Sequence, residues 1–93
     1  MQNMKKEVYC VIHGNVQGVS FRHFAKEKAD SLGVLGYAKN MDDGTVEVVA
    51  QGEENVLKTF LESISAGPEN AQVESMNVMW GKVEEEYTQF DQL

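Results

Sequence analysis

Ten residues near the front of the chain, His13-Gly14-Asn15-Val16-Gln17-Gly18-Val19-Ser20-Phe21-Arg22, limit the folds open to it more than any other stretch. The apolar run before them, Val8-Tyr9-Cys10-Val11-Ile12, reads as a strand. After them, Phe21, Phe24, Ala25, Ala29 and Leu32 recur at helical spacing and predict a helix over Phe21–Leu32. The junction holds two glycines and no proline, so every backbone N–H is kept. A strand, a glycine loop and a helix in succession aim several N–H groups into one concavity and add the positive end of the helix dipole. Such a concavity suits an anion, most naturally a phosphate.

Arg22 bears on that reading. A cation in the first helical turn faces the positive end of the dipole, at a cost of up to ~1 kcal/mol. A bound dianion reverses the sign, because the guanidinium fork grips two phosphate oxygens at once. The spacing alone fits equally well a structural turn with Arg22 directed to water, since glycine loops ahead of helices are common.

The rest of the chain supplies the frame. Residues 1–6 read as a frayed start. Gly33 is placed to cap the first helix. Val34–Asn40 and Thr45–Gln51 read as two strands joined by Met41-Asp42-Asp43-Gly44, where Asp-Gly signals a hairpin. A second helix is expected over Glu53–Ser65, with Val56, Leu57, Phe60, Leu61 and Ile64 on one stripe and glutamates in its first turn. Gly67-Pro68 stops it. A strand over Gln72–Lys82 follows, with Met76, Val78 and Trp80 on one face, and Tyr87–Phe90 reads as a short edge strand. This order, βαββαβ, predicts an α+β, ferredoxin-like two-layer sandwich: a four- to five-stranded antiparallel sheet covered on one face by two helices, one domain spanning 1–93. In that plan the first and second strands flank the third, which brings Asn40 toward Arg22.

Composition narrows the partners. Ninety-three residues, 42% apolar, with a single Pro, suit one core without long linkers. No apolar run approaches the ~20 residues of a membrane span, and Met1–Lys6 lacks the apolar segment of a signal peptide. One cysteine allows no internal disulfide, so a cytoplasmic setting is expected. Eight Lys/Arg against fifteen Asp/Glu give a net charge of −7, which disfavours nucleic acid and anionic membranes. It repels an anionic substrate too, so a phosphate site has to be made locally; His13, Arg22, His23, Lys26, Lys28 and Lys39 are the cations near the loop and the hairpin. Glu84-Glu85-Glu86 reads as a solvated turn. Cys10 and His13 fall on opposite faces of a strand, which rules out a nucleophile–base pair, and neither joins a zinc-like spacing. His23, about 100° around the helix from Arg22, reads as surface.

Gly14-Asn15-Val16-Gln17-Gly18-Val19-Ser20-Phe21-Arg22 resembles the acylphosphatase signature, G-x-V-Q-G-V-x-F-R. Gly36-Tyr37-Ala38-Lys39-Asn40-Met41-Asp42-Asp43-Gly44-Thr45-Val46-Glu47 resembles that family's second motif, in the expected order. The resemblance runs from about Val8 to Trp80 and implies the same ferredoxin-like fold. It implies hydrolysis of small acyl phosphates, with Arg22 binding phosphate and Asn40 orienting the attacking water. On this reading backbone N–H groups of Asn15, Val16, Gln17, Gly18, Val19 and Ser20 cradle the phosphoryl oxygens. Ser20 acts through its backbone, and its hydroxyl is a candidate helix cap.

The residue inventory agrees with such chemistry. The sequence offers no Ser–His–Asp arrangement, no activated cysteine and no carboxylate cluster, and Asp42 and Asp43 read as turn residues rather than metal ligands. Acyl phosphates suit a site without metal, cofactor or covalent nucleophile, because a carboxylate leaves without a general acid and a loose transition state needs mainly positioning and charge stabilisation. The rival is a non-catalytic module on the same plan. RNA recognition is disfavoured by a third strand without aromatics, and metal carriers or iron–sulfur ferredoxins by the single cysteine. An anion-sensing domain and the leading domain of a larger carbamoyl-phosphate-using enzyme stay open. The chain's bounds suit a free-standing protein, expected to be a monomer acting on a small molecule.

Overall fold

β1 (Lys6–Asn15), α1 (Phe21–Leu32), β2 (Leu35–Asn40), β3 (Val46–Gly52), α2 (Glu54–Ala66), β4 (Gln72–Gly81) and β5 (Phe90–Gln92) follow one another along the computed structural model, which describes residues 5–93. The frayed start and the reading of the leader fall in part on residues 1–4, outside the described residues. The strands form one sheet in the order β4-β1-β3-β2-β5. The ferredoxin-like plan is therefore the fold, with a fifth strand that runs parallel to β2 while all other pairs are antiparallel. The direction of β5 follows from the path. β4 ends beside the start of β1, at the end of the sheet where β2 also begins, so residues 82–89 cross along that end and enter β5 in the sense of β2.

Alternation in the strands decides the core. Val8, Cys10 and Ile12 of β1, Ala38 of β2, and Val46, Val48 and Ala50 of β3 point to the helical layer and are fully buried. They meet Phe21, Ala25 and Ala29 of α1 and Leu57, Phe60 and Ile64 of α2, the stripes that the helical spacing picked out. Each large side chain so buried contributes roughly 1.5–3 kcal/mol. Phe90 of β5 joins them edge-on to Phe60, with ring centroids 5.9 Å apart. Burial also drives the Cys10 thiol up to about 12, so it packs as an inert apolar group.

β4 keeps the expected shared face. Its register puts Met76, Val78 and Trp80 on the helical side, opposite Ile12, Cys10 and Val8. Met76 packs against the core, but Val78 and Trp80 stay 39% and 43% exposed. They lie on an edge strand that the two helices only partly cover.

The other sheet face carries one fully buried polar side chain, Gln51. The crossing segment covers it. Its Nε2 donates to Glu7 Oε1 at 2.8 Å and to the Glu85 carbonyl at 2.6 Å, and its Oε1 accepts from the Tyr87 N–H at 3.1 Å. Tyr87 also stands edge-on to Tyr37. Glu84, Glu85 and Glu86 remain exposed along this crossing, as a solvated turn should.

At the far end of β1 the pairing with β4 slips between His13 and Gly14. Gly14 has φ 131°, and a Cβ there would lie 2.1 Å from the Gln72 carbonyl oxygen. Only glycine fits, and the bulge turns the chain out of the sheet into the loop.

Replacing Gln51 by Leu should destabilise the protein by about 1–3 kcal/mol, since the Tyr87 N–H and Glu85 carbonyl lose their buried partner. Urea unfolding would show a lower midpoint, and an unchanged midpoint would mean that the crossing is fastened elsewhere.

Candidate active site

The loop 16–20 is anchored by Val16, which is buried, and by Val19, which packs against the core. Along this loop the backbone turns left-handed twice, at Gly18 (φ 74°) and at Ser20 (φ 63°, ψ 27°). A left-handed residue without a side chain costs nothing, whereas Ser20 pays roughly 1–2 kcal/mol for that conformation. The result is a bend over residues 17–20. Among the described residues, no backbone N–H from Val16 through His23 donates to a carbonyl or a side chain. The expected Ser20 cap is not made: an N-cap hydroxyl reaches the helix from an extended backbone, and Ser20 is left-handed. The start of α1 therefore points its positive pole and its unpaired donors the same way as the loop.

A cleft of about 290 Å³ opens there. Of the residues expected at the site, Val16, Gly18, Ser20, Arg22 and Asn40 line it. Asn15 pairs with Gln72 at the end of the sheet ladder, and the Gln17 side chain turns away toward the β2–β3 turn. Three further residues line the cleft: Phe21, His23 and Gln92. His23 was expected on the surface away from Arg22. It is exposed and pairs with Glu27 at 3.5 Å, yet so close to the helix start a 100° turn still leaves it at the mouth.

Arg22 is half-buried in the first turn of α1. Its Nη1 donates to the main-chain carbonyl oxygen of Leu93, just past β5. One turn later Lys26 donates to the Phe90 carbonyl at 2.8 Å and lies 3.3 Å from Asp30. Two cations on one face of α1 thus fasten the terminal strand, and that strand brings Gln92 to the cleft. No sequence motif announces this, because β5 is three residues long.

Asn40 ends β2 and shares the parity of Ala38, so its side chain belongs to the helical side of the sheet. Its Oδ1 is buried and accepts no hydrogen bond among the described residues. An orphaned carboxamide oxygen costs about 1–3 kcal/mol unless something donates to it. Asn40 also borders a second concavity with Lys39, Met41, Asp42 and Asp43. There Asp43 serves the turn, as expected: its Oδ1 accepts from the Thr45 hydroxyl at 2.6 Å and the Thr45 N–H at 3.0 Å. The Thr45 hydroxyl, then its N–H, hold the Asp43 carboxyl below the usual range. No three His, Cys, Asp or Glu side chains gather as a ligand set among the described residues. His13 lies on the open sheet face beside Tyr9 and Val11, opposite Cys10.

The family model for acylphosphatases matches residues 8–92 of the chain. An acylphosphatase of Thermus thermophilus is 49% identical over 73 residues, covering 78% of this chain and 83% of the relative. One from Methanococcoides burtonii is 43% identical over 91 residues, with 95% of each chain covered. Among solved structures, the crystal structure of acylphosphatase from Bacillus subtilis superposes with a TM-score of 0.92 at 34% identity, covering 95% of this chain and 98% of that one. No helix of the described residues is long and apolar enough to cross a membrane.

The lowered Asp43 value has a definite sign. Its stabilisation is present above the ordinary aspartate value of about 3.9 and is lost as pH falls through the lower folded value. Thr45→Val should raise the folded value part of the way, since the Thr45 N–H still donates. Carboxyl NMR titration would read this, and an unmoved value would assign the effect to another group.

Proposed function

The chain belongs to the acylphosphatase family, hydrolases that split an acyl phosphate into a carboxylate and inorganic phosphate, and on that premise we propose which of its residues carry the reaction. The unpaired N–H groups of Val16, Gln17, Gly18, Val19 and Ser20 cradle the phosphoryl oxygens, with Asn15 at the edge of the cradle. Arg22 grips two of those oxygens through its guanidinium fork. Asn40 accepts a hydrogen bond from the attacking water through Oδ1. The observation that carries this reading is the meeting of Arg22 and Asn40 in one cleft at a donor-rich loop.

The reaction then needs little more. The water oxygen forms a bond to phosphorus as the bond from phosphorus to the acyl oxygen breaks, and the electron pair leaves with the carboxylate. That leaving group is stable as an anion and needs no acid. A carboxamide is no base at neutral pH, so the water's proton passes to the phosphate itself. Charge spreads over the phosphoryl oxygens in a loose transition state, where fixed N–H dipoles and Arg22 stabilise it without reorganising. Neither a metal nor a covalent nucleophile takes part.

Residues 1–93 act as one catalytic domain and as a monomer on a small-molecule substrate. The net charge of −7 supports a role away from nucleic acid and anionic membranes, and a single buried cysteine supports a cytoplasmic setting.

The purified protein should hydrolyse benzoyl phosphate at an undiminished rate in excess EDTA; loss of turnover on chelation would overturn the metal-free assignment. Arg22→Lys should lower kcat/KM on the order of 100-fold, because a point charge cannot replace the fork. A near-normal rate would remove Arg22 from the site. Asn40→Ala should lower kcat on the order of 100-fold while inhibition by inorganic phosphate stays nearly unchanged. Equal losses in both would make Asn40 a phosphate ligand instead.

A further inference from the structure

Gln17 sits in the middle of the phosphate loop, yet its side chain leaves the cleft. It crosses to the turn between β2 and β3, where Nε2 donates to the Met41 carbonyl at 2.7 Å and to the Thr45 carbonyl at 2.9 Å. An amide nitrogen has two N–H groups, and both are engaged. The orientation of the carboxamide is fixed by this pairing, because reversal would set Oε1 against two carbonyl oxygens. The Thr45 carbonyl also accepts from the Met41 N–H at 2.9 Å, so the Gln17 amide binds the two carbonyls at the neck of the turn. Met41 follows Asn40 directly.

The Oδ1 of Asn40 is buried and has no hydrogen-bond partner among the described residues. Its placement therefore comes from its backbone, held by β3 on one side and by the Met41–Thr45 neck on the other. We propose that Gln17 is a positioning residue for the hydrolysis, its side-chain amide fixing the turn that carries Asn40 against the loop that holds the phosphate. The proposal rests on the roles given above to the loop and to Asn40. It adds that the distance between them is set by one side chain spanning 24 and 28 residues of sequence. The bridge is part-buried, where polar contacts are stronger than in water. A misplacement of about 1 Å at such a site can cost on the order of 100-fold in rate.

Three variants test it, with benzoyl phosphate as substrate and inorganic phosphate as competitive inhibitor. Gln17→Met keeps the length and removes both donors; it should lower kcat ten- to a hundredfold and change the phosphate inhibition constant less than threefold. Gln17→Glu keeps the shape but sets a carboxylate against two carbonyls. It should be slower than Gln17→Met at neutral pH and recover relative to the unmodified protein in acid, where a protonated carboxyl donates one of the two bonds. The double variant Gln17→Met/Asn40→Ala should be no more than about twofold slower than Asn40→Ala alone, because a residue acting through Asn40 has nothing left to position. A kcat within threefold of normal for Gln17→Met, matched losses in kcat and phosphate affinity, additive losses in the double variant, or a Gln17→Glu pH profile parallel to the unmodified protein would each overturn the proposal. Should Gln17→Met fail to fold, the acid recovery of Gln17→Glu decides alone. A near-normal Asn40→Ala would be read from that variant by itself; it would remove the water-orienting role and, with it, the positioning role built on it.

Discussion

Val46 pairs with Ile12 on one side and with Asn40 on the other, and the site depends on that single row of the sheet. Neighbouring strands lie about 4.8 Å apart, so the row sets Ile12 and Asn40 roughly 10 Å from each other, with side chains toward the same layer. The loop leaves β1 three residues beyond Ile12. Its bend and the end of β2 are thereby delivered to one edge of the sheet before any side chain of the site makes a contact. A one-residue slip of β3 would turn its whole buried set to the wrong face and take Asn40 out of the row it shares with Ile12. Such a slip is resisted by Val46, Val48 and Ala50, all fully buried.

What this frame holds in place is locally unfavourable. A helix start without a cap, a serine in a left-handed backbone, a guanidinium at the positive pole of a helix and an orphaned carboxamide oxygen all lie around one cleft. Their separate costs run from a few tenths of a kcal/mol for the guanidinium to about 1–3 kcal/mol for the carboxamide oxygen. On the assignment proposed above, a phosphoryl group with an attacking water would give the helix start and the carboxamide the partners they lack among the described residues, and would set an anion against the guanidinium. The site is thus complementary to something anionic and hydrated rather than to its own side chains, within a protein whose net charge is −7.

Much of this was legible in the sequence because it is local. Phe21–Leu32 coincides with α1, since its start after a glycine loop and its end at Gly33 are both written in adjacent residues. The Asp-Gly turn and the parity that puts Asn40 on the helical side follow from the same short-range rules. The misreadings are non-local or conformational. A hydroxyl at Ser20 looks like a cap until its φ is known. The direction of β5 depends on the end of the sheet from which residues 82–89 enter it. The two bonds of Gln17 join segments that nothing in the intervening sequence places side by side.

The path of residues 82–89 has a kinetic side. β5 pairs with β2 across more than fifty positions of chain and β4 with β1 across more still, whereas β1 and β3 are joined over shorter separations. Contacts that close such long loops come slowly, since the entropy of closure precedes any gain from them. The carbonyl that holds Arg22 belongs to this late-arriving piece. In a refolding chain, the pairing of β1, β2 and β3 is therefore expected ahead of the docking that holds Arg22, with the second lagging the first.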